Sequence, residues 1–255
     1  MAVVAVFNQK GGVGKTTTTF NLTAGLARAD LHPIGIDLDP QSHLTLSSGI
    51  PEIPYESCVS SFFLQDKPLD RLLQDTPAGW QIIPASLTLS KIDAMFGNDP
   101  KAALRLKGGL QQELALTGAP VLIDCCPMLG VLTLNALLAA DRVLIPVAAD
   151  FLSLQGVHRI DAALNVLENK LKRKFERRVV VTRFDSRRKL SFEIFDKLKN
   201  QYGEQLCASR IGESVALASS PMYGKDVYTY APHSPGANDF RALTIELLQS
   251  GFFSN

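Results

Sequence analysis

Gln9-Lys10-Gly11-Gly12-Val13-Gly14-Lys15-Thr16-Thr17 concentrates glycines, lysines and hydroxyls in one short stretch near the amino terminus. Such a stretch suits a phosphate-binding loop. Gly11, Gly12 and Gly14 let backbone N–H groups crowd around phosphate oxygens, with Val13 and Thr17 completing the cradle. Lys15 can add a point charge to β- and γ-phosphates, and the Thr16 hydroxyl can face Mg²⁺. The apolar run Val3–Phe7 precedes the loop and a helix-like segment, Phe20–Ala29, follows it. That strand, loop, helix context aims the positive end of a helix dipole at the same anion.

Two acidic segments fit the same chemistry. Ile36-Asp37-Leu38-Asp39-Pro40-Gln41 ends an apolar strand. Alternate strand residues share a side, so Asp37 and Asp39 could flank one site. Val121-Leu122-Ile123-Asp124-Cys125-Cys126-Pro127 is a second apolar strand ending in a carboxylate. Behind a phosphate-binding loop, Asp124 is placed to hold Mg²⁺ through water.

These residues need a scaffold that brings strand ends together. Apolar runs at Val3–Phe7, Pro33–Asp37, Gln81–Ile83, Val121–Asp124, Arg142–Pro146 and Arg178–Thr182 predict strands covered on both faces. Helical patterns fall at Thr16–Ala29, Lys101–Leu116, Thr133–Ala139, Leu154–Lys174, Ser191–Tyr202 and Ala237–Gln249. The alternation predicts an α/β fold with a doubly wound, mostly parallel sheet and helices on both faces. Ligands then bind at the carboxyl ends of the strands. No internal repeat or linker divides residues 1–255, so one domain is expected. The stretches Ser48–Ser61 and Pro232–Gly236 read as surface loops.

Composition agrees with a soluble cytoplasmic protein. There are 26 Lys+Arg against 25 Asp+Glu, so overall charge does not select a partner. The four cysteines have no metal-finger spacing, and reduced thiols are expected, Cys125-Cys126 included. His32, His43, His158 and His233 show no ligand spacing either. Trp80 is expected to pack beside the strand at Ile82-Ile83. No signal peptide is expected, because the amino terminus runs straight into the first strand, and no apolar run is long enough to span a bilayer.

The loop departs from the ordinary phosphate-binding pattern: Gln9 stands where glycine is usual, and Lys10 precedes the glycine pair. In this it resembles the deviant Walker A ATPases, K-G-G-x-G-K-[ST]. The resemblance narrows to the short ParA type. It rests on Asp37-Leu38-Asp39-Pro40-Gln41, Leu132-Thr133-Leu134-Asn135-Ala136-Leu137, Val143-Leu144-Ile145-Pro146-Val147, Pro221 and Gly224-Lys225. The short type is expected to lack a DNA-reading extension before the loop. One departure is Cys126, where the family has proline after D-C.

The resemblance implies an ATPase with ATP and Mg²⁺ as cofactors, slow and stimulated by a partner. It implies that Lys10 reaches across a homodimer to the partner's nucleotide. It gives Lys10, Lys15 and Asp39 catalytic roles, Asp39 orienting the attacking water. Asp37 is given a metal-shell or loop-ordering role beside Thr16 and Asp124. The ATP-bound dimer is expected on the nucleoid, on non-specific DNA, where a ParB-like or other cargo adaptor stimulates hydrolysis. Cargo would be a plasmid, a chromosome or a large protein assembly. Asp150, Ser153 and Gln155 follow a strand and could sense the nucleotide.

The DNA expectation has a local counterpart. Lys170, Lys172, Arg173, Lys174, Arg177, Arg178, Arg183, Arg187, Arg188 and Lys189 crowd one stretch, opposed only by Glu176 and Asp185. Such density suits salt-sensitive contact with phosphates. Against it, Ala216 stands where nucleoid-binding relatives often carry arginine. The alternative surface is a membrane, as for MinD. The carboxy-terminal helix is nearly devoid of lysine and arginine after Arg241, so packing on the sheet is expected instead.

Overall fold

The computed structural model describes residues 2–97, 99 and 101–254. Its strands are β1 (Val3–Val6), β2 (Ile34–Leu38), β3 (Gln74–Asp75), β4 (Gln81–Ile83), β5 (Val121–Cys125), β6 (Arg142–Ala148), β7 (Glu176–Phe184) and β8 (Leu206–Gly212). They form one sheet in the order β3-β4-β2-β5-β1-β6-β7-β8. Only the β3–β4 pair is antiparallel. The chain leaves β1 for β2 on one side and later fills β6 on the other. The carboxyl ends of β1, β2 and β5 therefore open onto one crevice.

The helices are α1 (Lys15–Ala27), α2 (His43–Ser47), α3 (Val59–Gln65), α4 (Ser90–Phe96), α5 (Arg105–Gly109), α6 (Val131–Ala139), α7 (Phe151–Leu171), α8 (Lys189–Tyr202), α9 (Val215–Ser219), α10 (Val227–Tyr230) and α11 (Pro235–Gln249). Alternate strand residues feed two apolar layers. Ala5, Ile36, Ile123, Ile145 and Val181 pack with residues of α3, α6, α7 and α8. Val4, Val6, Leu122, Leu144 and Val180 pack on the other face with Phe20 and Leu22 of α1 and Phe240, Leu243 and Leu247 of α11. Both faces of the central strands are thus covered, which is why β1, β2 and β5 are buried from end to end.

Trp80 explains a glycine in the middle of β2. Its ring lies so close to Gly35 that an added Cβ would stand 2.7 Å from Cζ3. The indole meets Phe20 edge-on at 6.1 Å, so it joins α1 to the sheet beside β4.

The structure corrects several expected elements. The helix expected over Lys101–Leu116 is an uneven run. It has a tight turn at Ala102–Leu104, then α5, then a wide turn at Leu110–Leu114 and a last tight turn at Ala115–Thr117. Gly109 lies against Phe62 and Leu69, where a Cβ would clash, so close approach to α3 takes precedence over helical regularity. The expected loop Ser48–Ser61 ends in α3, with Ser60 and Ser61 buried. Pro235 and Gly236 open α11, which Ser234 caps by accepting from the Ala237 N–H. The apolar face of α11 is buried, as are Phe252 and Phe253 beyond it.

Strand β8 lies outside the expected set. It is an edge strand, and carboxylates from α11 occupy three of its N–H groups. Glu246 accepts from Ala208 at 2.7 Å and from Ser209 at 2.8 Å, and Asp239 accepts from Gly212 at 2.9 Å.

Candidate nucleotide and metal site

The loop after β1 has the backbone its glycines allow. Gly12 and Gly14 sit at φ 74° and 85°, the left-handed region that side chains disfavour. An added Cβ at Gly11 or Gly12 would meet nothing within 4 Å, so the loop opens onto free space. No side chain caps the start of α1, which leaves its first N–H groups for an anion. Two clamps hold the loop from behind. The Thr182 hydroxyl of β7 donates to the Val13 carbonyl at 2.8 Å. Asn8 donates to the Pro146 carbonyl at 2.7 Å and accepts from the Lys10 N–H at 2.9 Å.

Lys15 is buried at the loop's mouth, its Nζ 3.2 Å from the Lys10 carbonyl. Burial pulls its pKa down, against the attraction of Asp124 and Asp39. It is a cation short of counter-charge, the state that an incoming phosphate relieves.

Asp37 and Asp124 are register partners on adjacent strands, and both are fully buried. Asp37 has both oxygens occupied. Oδ1 accepts from the Asp39 N–H at 3.1 Å, and Oδ2 accepts from the Thr45 N–H at 2.9 Å and the Thr45 hydroxyl at 2.7 Å. That side chain ties the Asp39 loop and α2 to the end of β2. Asp124 is less well served. Its Oδ1 accepts from Thr19 at 3.4 Å, and its buried Oδ2 has no partner. Burial drives both carboxyls above the usual carboxylate range. For Asp124 the nearby Asp37 adds to the rise, while Thr16 and Lys15 oppose it.

An orphaned buried carboxylate oxygen beside Thr16 fits a hard cation. Among the described residues, no cluster of three or more His, Cys, Asp or Glu could hold a metal by protein atoms alone. A cation here takes most of its oxygens from phosphate and water, which suits Mg²⁺.

Two cavities flank the loop and share Gly12, Gly14 and Thr17. One, of about 710 Å³, also takes in Lys15, Thr16, Asp39 and Gln41. The other, of about 600 Å³, lies between the loop and the ends of β7 and β8. Sequence reasoning missed His43, Ser90 and Asp93 in the first. Asp93 reaches from α4 to accept from the Val131 N–H at the start of α6. It therefore steadies the segment that follows Asp124. No spacing in the sequence links Asp93 to Val131. Cys126 lines this cavity with its thiol near Thr133, and burial raises both vicinal thiols.

Lys10 points away from the phosphate cradle. Its Nζ donates to the Asp150 oxygens at 2.7 and 2.9 Å and to Ser153 Oγ at 2.9 Å. Asp150 also caps α7 by accepting from the Ser153 N–H at 2.8 Å. Burial pushes the Asp150 carboxyl up, but bonds from Lys10 and Ser153 outweigh it and hold the carboxyl below its ordinary value. Phe151 and Leu152 at the start of α7, and Met128 and Leu129 on the loop before α6, stand exposed around this edge.

The basic run is not one patch. Arg177 is only 11% exposed, paired with Glu168 at 2.8 Å and Asp161 at 3.2 Å. Arg173 donates to the Leu138 and Ala140 carbonyls and stacks on Phe175. Lys172 and Lys174 precede β7, whereas Arg183, Arg187, Arg188 and Lys189 lie at its far end. Residues 176–182 of the strand separate the two groups, roughly 25 Å of rise. Asp185 engages both Arg187 and Arg188, which draw its carboxyl down to about 2.

A doubly wound sheet with a second lysine in its glycine loop defines a nucleotide-binding domain of the deviant Walker A class. The AAA domain family model matches residues 1–177. The chromosome partitioning protein ParA of Myxococcus xanthus is 32% identical over 97% of this chain and 88% of its own length. The chromosome-partitioning ATPase Soj of Thermus thermophilus is 36% identical over 96% and 94%. The crystal structure of cobyrinic acid a,c-diamide synthase from Mycobacterium smegmatis, with bound ATP analog and magnesium, is 29% identical. It superposes with a TM-score of 0.84 over 100% of this chain and 96% of that one. The chain belongs to the ParA family of partition ATPases.

Proposed function

We propose that this chain is a ParA-type ATPase that binds ATP with Mg²⁺ at the loop after β1. On ATP it pairs with a second copy, binds DNA without sequence preference, and positions a cargo as an adaptor stimulates hydrolysis. The observation that carries the reading is the pair of lysines. Lys15 faces the phosphate cradle, while Lys10 is held outside it on Asp150. A lysine so placed is available to a second nucleotide brought up by a second copy. The exposed Phe151, Leu152, Met128 and Leu129 suit the same face-to-face contact.

Thr16 and Asp124 would hold the metal, Asp124 through water, while Asp37 orders the Asp39 loop. Bound magnesium would neutralise charge on the β- and γ-phosphate oxygens. Asp39, on a loop fixed by Asp37, would orient the attacking water. Catalysis would rest on positioning and charge. Lys15→Ala then abolishes ATP binding, and Lys10→Ala permits it but blocks pairing and hydrolysis.

DNA contact falls to the far end of β7, where Arg187, Arg188 and Lys189 are exposed on the nucleotide edge. Pairing doubles that charge, which makes binding depend on ATP. Lys172 and Lys174 lie at the opposite end. The apolar face of α11 packs in the protein core, which argues against a MinD-like membrane helix. Small-molecule synthesis, for which the mycobacterial synthase is named, would require a second substrate for turnover.

The test is binding to non-specific duplex DNA with ATP, with ADP and without nucleotide, over a salt series, using Asp39→Ala to hold the ATP state. ATP-dependent, salt-sensitive binding is expected. Its absence in every state overturns the DNA reading and moves the proposal to a membrane or protein scaffold.

A further inference from the structure

The cavity of about 600 Å³ beside the glycine loop shares Gly12, Gly14 and Thr17 with the one lined by Lys15 and Asp39. A nucleotide with its phosphate end at Lys15 could extend past the shared Gly12, Gly14 and Thr17 and reach this second cavity with its nucleoside end. Its floor is apolar: Ile211, Leu217 and Phe240 are all buried. The Thr18 hydroxyl, on its wall, is buried without a partner. Its rim is charged, carrying Arg183, Arg187 and Glu213.

The two rim arginines differ. Arg187 is engaged by Asp185 through Nε at 2.9 Å and through a second nitrogen at 3.0 Å. Arg183 has one loose contact, Nε to Glu213 at 3.6 Å, and its side chain is 61% exposed. Its backbone is held at φ 51°, a left-handed conformation that a long side chain rarely adopts. The strand thus turns at this residue, between Thr182, which clamps the loop, and Phe184. Strain of this kind collects where a side chain must be aimed.

We propose that Arg183 is a nucleobase-positioning residue: its guanidinium leaves Glu213 and stacks over the base seated in the β7–β8 cavity. A planar, weakly hydrated cation on an apolar-floored slot suits a flat aromatic ligand, and a lysine in its place would not reproduce the stack. The inference rests on the nucleotide reading above. It removes Arg183 from the residues offered to DNA and gives it a ligand on its own chain.

The experiment is calorimetric titration of the full chain with ATP, ADP and inorganic tripolyphosphate, each with Mg²⁺, in wild type, Arg183→Ala and Arg183→Lys. ATP and ADP binding should weaken about five- to tenfold in both variants. Tripolyphosphate binding, which uses only the loop, should not change. Unchanged ATP and ADP binding in Arg183→Ala overturns the stack, as does full rescue by Arg183→Lys. A parallel loss of tripolyphosphate overturns it too, because Arg183 would then act on phosphate or on folding. A wild-type chain that binds tripolyphosphate but gains nothing from the nucleoside refutes the stack alone. A wild type that binds none of the three refutes the nucleotide site and the stack together.

Discussion

The ends of β2 and β5 lie side by side and carry the same side chain at the same register, Asp37 and Asp124, in opposite states. At the end of β2 the carboxylate is saturated by Thr45 and the Asp39 N–H, and it anchors a loop. At the end of β5 one oxygen is left bare in the protein interior. Burial and residue type do not distinguish them. Hydrogen-bond satisfaction does: a filled carboxylate is scaffold, and a buried unfilled one points to a ligand.

The largest effect should come from the unfilled end. Asp124→Asn is expected to cut magnesium-dependent hydrolysis by about 10- to 100-fold, measured as phosphate release against Mg²⁺ concentration. Asp37→Asn should leave the Mg²⁺ dependence in place. An equal loss of Mg²⁺ affinity in both variants would break the comparison.

Stability should move the other way. The Asp124 carboxyl is raised in the folded chain, so the folded state binds the proton more tightly than the unfolded state does. The group therefore costs stability increasingly as pH climbs from the ordinary carboxylate range through the folded value. Without nucleotide or metal, Asp124→Asn should melt higher than wild type, with a larger gain at pH 8 than at pH 5. Asp37→Ala should do the reverse. It strands the Thr45 and Asp39 N–H groups and should cost about 1–3 kcal/mol in denaturant unfolding. A stable Asp37→Ala chain would mean that α2 is held by other contacts.

Asp150 extends the comparison to a half-exposed carboxylate. Its pair with Lys10 is open to water on both sides, with side chains 32% and 45% exposed. Asp150→Asn should therefore change stability by no more than about 1 kcal/mol. Its effect should appear as faster ATP-dependent pairing, followed by light scattering, because Lys10 is released. Slower pairing would instead assign Asp150 to the contact between copies.

Much of the site was legible because its signals are local. Gly12 and Gly14 need left-handed backbone, and apolar runs ending in Asp37 and Asp124 mark strand ends at a ligand edge. What lay beyond reach was long-range partnership. The sequence names Asp37 but not Thr45 as its partner, and it does not bring Asp93 to Val131. The basic run misled for the same reason. Its density along the chain is real, but Arg177 lies under α7, where Asp161 and Glu168 take up its charge. Strand β8 escaped notice because Leu206-Cys207-Ala208-Ser209-Arg210-Ile211-Gly212 has neither a β-branched run nor clean alternation. Its bulges against β7 break the period. Nothing in the sequence singled out Arg210, whose guanidinium lies 4.7 Å from the ring centroids of both Phe184 and Phe195.

The carboxylates that cap β8 constrain how copies of this molecule can gather. With Glu246 and Asp239 occupying the N–H groups of Ala208, Ser209 and Gly212, this edge is a poor template for another strand. At the other edge, β3 is only two residues long. Both margins of the sheet thus offer little for lateral growth by strand pairing. The proposed pairing would then use the faces and rims, where side chains set its terms.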